Sequence, residues 1–132
     1  MKSTFRHAPL SLDAGLLILR VFAGGLMLTH GLPKLMKVME GNTQFGDPLG
    51  LGTELSLYLA ILAEVLCALL VILGLFTRIA TIPLIITMFV AFFVVHASDP
   101  LTVKELALIY LSIFLTIFFT GPGNYSIDRK IR

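Results

Sequence analysis

Residues 13–35 read DAGLLILRVFAGGLMLTHGLPKL, a hydrophobic run that contains the charged Arg20 and the titratable His30. A run of about 20 apolar residues is long enough to cross the hydrocarbon core of a bilayer as a helix. It is too long for the hydrophobic part of a signal peptide, and no small-residue cleavage site separates it from the next segment. We therefore expect a retained membrane helix.

Three further hydrophobic runs of similar length follow the first. The four predicted spans are residues 13–35, 53–75, 78–96 and 104–120. Hydrophobic residues make up 57% of the chain and charged residues only 14%, whereas soluble domains carry about 25% charged residues. The sequence predicts an all-α fold, a four-helix bundle in the lipid bilayer that forms one domain over residues 1–132.

Lysine and arginine are distributed unevenly between the two ends of this bundle. The end with both termini holds Lys2, Arg6, Arg78, Arg129, Lys130 and Arg132. The other end holds Lys34, Lys37 and Lys104. Because basic residues concentrate on the cytoplasmic side, both termini are predicted to be cytoplasmic. The net charge of +2 is too small to indicate nucleic-acid binding.

Titratable side chains interrupt the predicted spans at Arg20, His30, Glu64 and His96. A charge near the bilayer centre costs about 2.5–3.5 kcal/mol or more. Arg20 and Glu64 have similar predicted depths, and an ion pair between them would offset the cost of burying both. We predict Arg20–Glu64 as a structural ion pair. The alternative is that Glu64 serves as a catalytic, proton-accepting carboxylate.

Helical spacing places these polar residues on two inward-facing stripes. The stripe of the first helix contains Arg20, Gly24, Met27, Gly31 and Lys34. Glu64 belongs to a stripe of small residues on the second helix, which contains Ser56, Ala60, Ala63, Cys67 and Ala68. Small residues let membrane helices approach closely, so the two stripes are expected to pack inward rather than against lipid.

A second group of polar residues lies near the opposite ends of the helices, away from the termini. Two imidazoles at similar depth can relay protons or hydrogen-bond a carbonyl group. We therefore expect one polar pocket at this end. The candidate catalytic residues are His30, His96 and Glu64, of which Glu64 lies nearer the bilayer midplane. The expected ligand-binding residues are His30, Lys34, His96 and Glu105. Two histidines and a glutamate can bind zinc or iron, but no local histidine spacing supports a metal site, and none is predicted.

Several short motifs occur in a fixed order along the chain. They are RVFAG at 20–24, HGLPK at 30–34, Glu64, GLFTR at 74–78, His96 and GPGNYSID at 121–128. With these motifs in this order, the chain resembles the DoxX family from about residue 12 to residue 128. The one departure is a somewhat long first loop, residues 36–52, which is large enough to form a lid or a partner surface.

The resemblance implies a bacterial inner-membrane protein. Members of the family include the small subunit of a thiosulfate:quinone oxidoreductase and proteins linked to oxidative-stress complexes, while distant relatives act in trafficking or as receptor chaperones. It favours a membrane subunit of a quinone-linked redox or oxidative-stress complex with a soluble redox partner. The alternative is a non-catalytic membrane anchor or assembly factor. Whether the chain is itself an enzyme, and whether it forms a homo-oligomer, is left open.

Overall fold

The computed structural model describes residues 7–131, in which all regular secondary structure is helical. The long helices are α1 (Leu12–Met39), α2 (Thr53–Leu73), α3 (Thr77–Val95) and α4 (Leu101–Thr120). A short helix, α5 (Ile127–Lys130), follows. The four long helices are each long and apolar enough to cross a membrane, which confirms the predicted all-helical architecture.

The two ends of the bundle differ in construction. One end contains the turn formed by residues 74–76 and the segment 121–131. We call the segment 121–131 the C-terminal clip. At the other end lie the loop of residues 40–52 and the turn of residues 96–100, and we call this the cavity end. Helix α1 continues past the predicted boundary at residue 35 to Met39, so the connecting loop is shorter than expected.

Helix α1 packs closely on α2 through two glycines. A Cβ atom on Gly24 would lie 2.5 Å from Ile72 Cγ1, and one on Gly31 would lie 2.7 Å from the backbone carbonyl of Glu64. The residues of both predicted stripes are buried, apart from the partly exposed Lys34. The inward packing predicted from small residues is therefore confirmed.

Two π-helical turns interrupt the long helices, at Leu62–Cys67 in α2 and at Ala91–Val95 at the end of α3. Such turns insert a wider hydrogen-bonded ring into an α-helix and are frequent at functional sites. The first contains Glu64, and the second ends immediately before His96. Neither turn was predicted from the sequence.

The C-terminal clip ties three helices together. Asp128 accepts hydrogen bonds from the backbone N–H groups of Phe76 and Thr77 and from the Thr77 hydroxyl, at 2.7–3.0 Å. At the start of α1, Asp13 accepts two hydrogen bonds from Asn124. Burial raises the pKa of Asp128, but these hydrogen bonds and the nearby Arg20 outweigh it, so the pKa lies below its ordinary value.

Candidate functional site

A cavity of about 450 Å³ lies between the four long helices at the cavity end. Apolar side chains from all four helices form most of its wall, and the loop of residues 40–52 contributes Phe45, Pro48, Leu49 and Leu51. The polar side chains that line it are His30, Lys34, Ser56, Glu64, Thr87, His96, Lys104 and Tyr110. A pocket of this size and composition is typical of a small-molecule site.

The deepest charges in this cavity form an ion pair between α1 and α2. Lys34 Nζ lies 2.5 Å from Glu64 Oε1, and the glutamate side chain is only 3% exposed. Lys34 also lies over the ring of Phe45, with its Nζ 5.9 Å from the ring centroid. Because Gly31 has no side chain, the π-helical turn that contains Glu64 can lie directly against α1.

The predicted Arg20–Glu64 ion pair is wrong. Arg20 lies toward the other end, where its guanidinium donates hydrogen bonds of 2.8–3.0 Å to four backbone carbonyls. These belong to Val71, Ile72, Pro122 and Tyr125. The depth estimate failed because α1 packs on α2 in a register that places Gly31 opposite Glu64. Arg20 therefore sits beside Val71, roughly 10 Å further along α2 at 1.5 Å per residue.

His30 and Tyr110 meet across the cavity end. The imidazole of His30 approaches the Tyr110 ring edge-on, with centroids 5.8 Å apart. Within the described residues neither side chain makes a hydrogen bond. Their polar atoms are therefore free to bond a ligand.

His96 has a carboxylate partner that the sequence reasoning missed. Its Nδ1 lies 2.7 Å from Oδ2 of Asp99, in the turn between α3 and α4. This contact orients the imidazole, and Nε2 makes no hydrogen bond within the described residues. His96 lines the cavity, and the two side chains are 38% and 43% exposed, so the pair lies at the rim of the cavity.

Glu105, predicted to bind a ligand, is exposed and does not line the cavity. The neighbouring Lys104 lines it instead, and its Nζ lies 4.5 Å from the centroid of the Phe92 ring. Successive residues of a helix point about 100° apart, so an error of one position is enough to exchange an outward side chain for an inward one. The side of α4 that faces the cavity could have been predicted from helical spacing. It carries Lys104, Ala107 and Tyr110 at intervals of three residues.

Two polar atoms of residues that line the cavity make no hydrogen bond to the described residues. Glu64 Oε2 and the Tyr110 hydroxyl have no hydrogen-bond partner in the described part of the chain. No fully buried polar side-chain atom in residues 7–131 lacks a partner, so neither of these atoms is fully buried, and both residues line the cavity. Over the same residues, no group of three or more His, Cys, Asp or Glu side chains lies close enough to share a metal ion.

By fold and site, this is a multi-pass membrane protein whose four helices enclose a mainly apolar cavity with a buried ion pair. The DoxX family model matches residues 15–97, and the chain belongs to the DoxX family. The resemblance drawn from the sequence motifs is thus confirmed. The matched region contains His30, Lys34, Glu64 and His96, whereas Tyr110 and the C-terminal clip lie beyond it.

The chain is also similar to an uncharacterized protein of Haemophilus influenzae. The two are 32% identical over an alignment that covers 87% of this chain and 89% of the relative. No solved structure matches the chain.

Proposed function

We propose that this protein is the membrane subunit of a quinone-linked redox or oxidative-stress complex of the inner membrane, and that its cavity binds the quinone ring. The observation that supports the proposal is the cavity itself. It combines apolar walls, which suit a flat hydrophobic ring, with polar atoms that make no hydrogen bond to the described residues, namely Glu64 Oε2, the Tyr110 hydroxyl and the His30 imidazole nitrogens. Ligand sites typically have this composition.

Each polar residue has a distinct role in this proposal. His30 and the Tyr110 hydroxyl donate hydrogen bonds to the carbonyl oxygens of the ring. Lys34 is the ion-pair partner of the buried Glu64 carboxylate, and Glu64 Oε2 exchanges a proton with the ligand. His96, oriented by Asp99, passes protons between the cavity and the aqueous surface. A bound quinone would supply two-electron redox chemistry, and a soluble partner would supply the electrons.

Ligand titration of the purified protein tests this function. Calorimetric titration with a soluble short-chain quinone is expected to show saturable binding. A hydrogen bond is worth about 0.5–1.5 kcal/mol net, so His30→Ala should weaken binding about two- to tenfold. His7→Ala is the matched control, since His7 is exposed and lies outside the cavity.

Two results would contradict the proposal. One is the absence of saturable quinone binding by the wild-type protein. The other is equal quinone affinity of the His30→Ala and His7→Ala proteins. That result would show that His30, and with it the cavity, takes no part in any quinone binding observed. Either result would favour the alternative role of a non-catalytic anchor or assembly factor.

A further inference from the structure

A second groove, of about 530 Å³, lies at the opposite end of the bundle from the ligand cavity. It runs between the start of α3, the end of α4 and the C-terminal clip. Its basic side chains are Arg78 and Arg129, and its acidic side chain is Asp128. The groove shares no lining residue with the cavity at the other end.

The guanidinium of Arg78 is held in place by a hydrogen bond from Nε, which leaves its two terminal Nη nitrogens unused. Its Nε donates a 3.0 Å hydrogen bond to the carbonyl of Phe118, near the end of α4. The guanidinium lies on Gly121, where φ is +75° and an added Cβ would be 3.1 Å from Nη2. Within the described residues the two Nη groups make no hydrogen bond, so they remain available to an anion in the groove.

Arg129 is arranged in the same way on the other wall. Its Nε donates to the side-chain oxygen of Asn124 at 3.1 Å, and no bond from its Nη groups is made within the described residues. Both oxygens of Asp128 already accept hydrogen bonds from Phe76 and Thr77. Two arginines and one carboxylate leave the groove with a net charge of +1.

The surroundings of these arginines are apolar. Among the residues that line the groove, Phe76, Ile79 and Ile131 are 57%, 68% and 64% exposed. They lie beside the start of α3 and the end of α4, and the ends of membrane-spanning helices are typically near the level where lipid headgroups meet the acyl chains. A ligand that fits both features has an anionic head and an apolar body.

We propose that this groove binds the phosphodiester headgroup of an anionic phospholipid. Arginine binds phosphate oxygens through parallel, charge-assisted hydrogen bonds, and basic pockets between membrane helices are suited to anionic headgroups. The Nη groups of Arg78 and Arg129 contact the phosphate, and Phe76 and Ile79 contact the glycerol and the first part of the acyl chains.

Native mass spectrometry of the full-length protein in detergent tests the site. The protein is titrated with a short-chain phosphatidylglycerol, with the matching phosphatidylcholine and with inorganic phosphate. One bound phosphatidylglycerol is expected at concentrations where phosphatidylcholine does not bind. Basic residues at a membrane surface each contribute on the order of a fivefold change in affinity, so Arg129→Gln should weaken binding by about that factor.

Lys130→Gln is the matched control because it makes the same charge change at the adjacent, exposed position outside the groove. It should leave binding unchanged. Arg78→Lys keeps the charge but loses the fork of donors, and it should also weaken binding. A melting curve of each variant shows whether it is folded.

Three outcomes would overturn the proposal. Equal binding of phosphatidylcholine would mean that the groove recognises only apolar chains. Displacement of the lipid by inorganic phosphate at a comparable concentration would assign the site to the free ion. Equal losses in Arg129→Gln and Lys130→Gln would show that diffuse surface charge, rather than this groove, attracts the lipid.

Discussion

At the scale of single residues, two charged side chains are buried within residues 7–131, and each is stabilised in a different way. Glu64 is paired with a cation, Lys34. Arg20 is only 1% exposed and is surrounded by backbone carbonyls, whose partial negative charges converge on its guanidinium. The difference has a physical reason, because a compact carboxylate can be satisfied by one cation and a few donors, whereas a guanidinium carries five donors in a plane.

The Lys34–Glu64 ion pair leads to a prediction about stability. Removing one partner of a buried pair leaves an uncompensated charge and costs about 3–5 kcal/mol. Lys34→Met should therefore lower the free energy of unfolding by about that amount, and adding Glu64→Gln should restore part of it. Reversible unfolding in mixed detergent micelles measures both changes.

Arg20 provides the control for this double-mutant cycle. Arg20→Met and Glu64→Gln should have additive effects, because the two side chains have separate partners. Additive losses for Lys34→Met with Glu64→Gln would instead show that this pair does not interact in the folded protein.

At the scale of the helices, the contact between α1 and α2 shapes the cavity. Gly31 allows the backbone of α2 to approach α1 at the turn that contains Glu64. That turn is π-helical, which changes the direction of the side chains that follow it relative to a continuous α-helix. The position of the Glu64 carboxylate therefore depends on the fit between two helices.

A methyl group at Gly31 should disturb this fit. In Gly31→Ala the new Cβ would lie 2.7 Å from backbone atoms of Glu64, so the helices must separate. Overpacking of this kind costs about 1–3 kcal/mol, and the quinone binding proposed for the cavity should weaken with it. Thermal unfolding and the ligand titration described above measure the two effects.

Gly25→Ala is the matched control on the same helix, because no atom lies within 4 Å of an added Cβ there. Alanine is a better helix former than glycine by roughly 0.5–1 kcal/mol, so this variant should be as stable as the wild type or slightly more stable. Equal destabilisation by the two changes would contradict a close contact at Gly31.

At the scale of the whole molecule, the bundle has two chemically different ends. One end holds the cavity under the loop of residues 40–52. The C-terminal clip closes the other end, where Arg78 of α3 is exposed together with Arg129 and Lys130 of the clip. With six basic residues at the end of the termini and three at the other, the clip is predicted to face the cytoplasm and the cavity to face away from it.

Cysteine labelling tests this orientation. In a Cys67→Ala background, Asn42→Cys should react with a membrane-impermeant maleimide added to intact cells, because Asn42 is in the exposed loop at the cavity end. Lys130→Cys, at an exposed position of the clip, should react only after the cells are lysed. The reverse pattern would place the cavity on the cytoplasmic side.

The sequence by itself determined the class of the protein, the four helices and their inward-facing stripes. These follow from local properties: the length of apolar runs, helical periodicity and the small size of residues such as Gly31 and Ala63. It also indicated that His30, Lys34, Glu64 and His96 matter, since polar groups in apolar helices are costly.

Only the tertiary structure decided which of these groups are partners. The register between α1 and α2 paired Glu64 with Lys34 instead of Arg20, and the return of the C-terminal clip supplied the carbonyls of Pro122 and Tyr125 to Arg20. Likewise, the rotation of α4 brought Tyr110 into the cavity and left Glu105 outside it. These contacts join residues far apart in the chain, and a shift of one residue or one helical turn exchanges them without changing the local hydrophobic pattern.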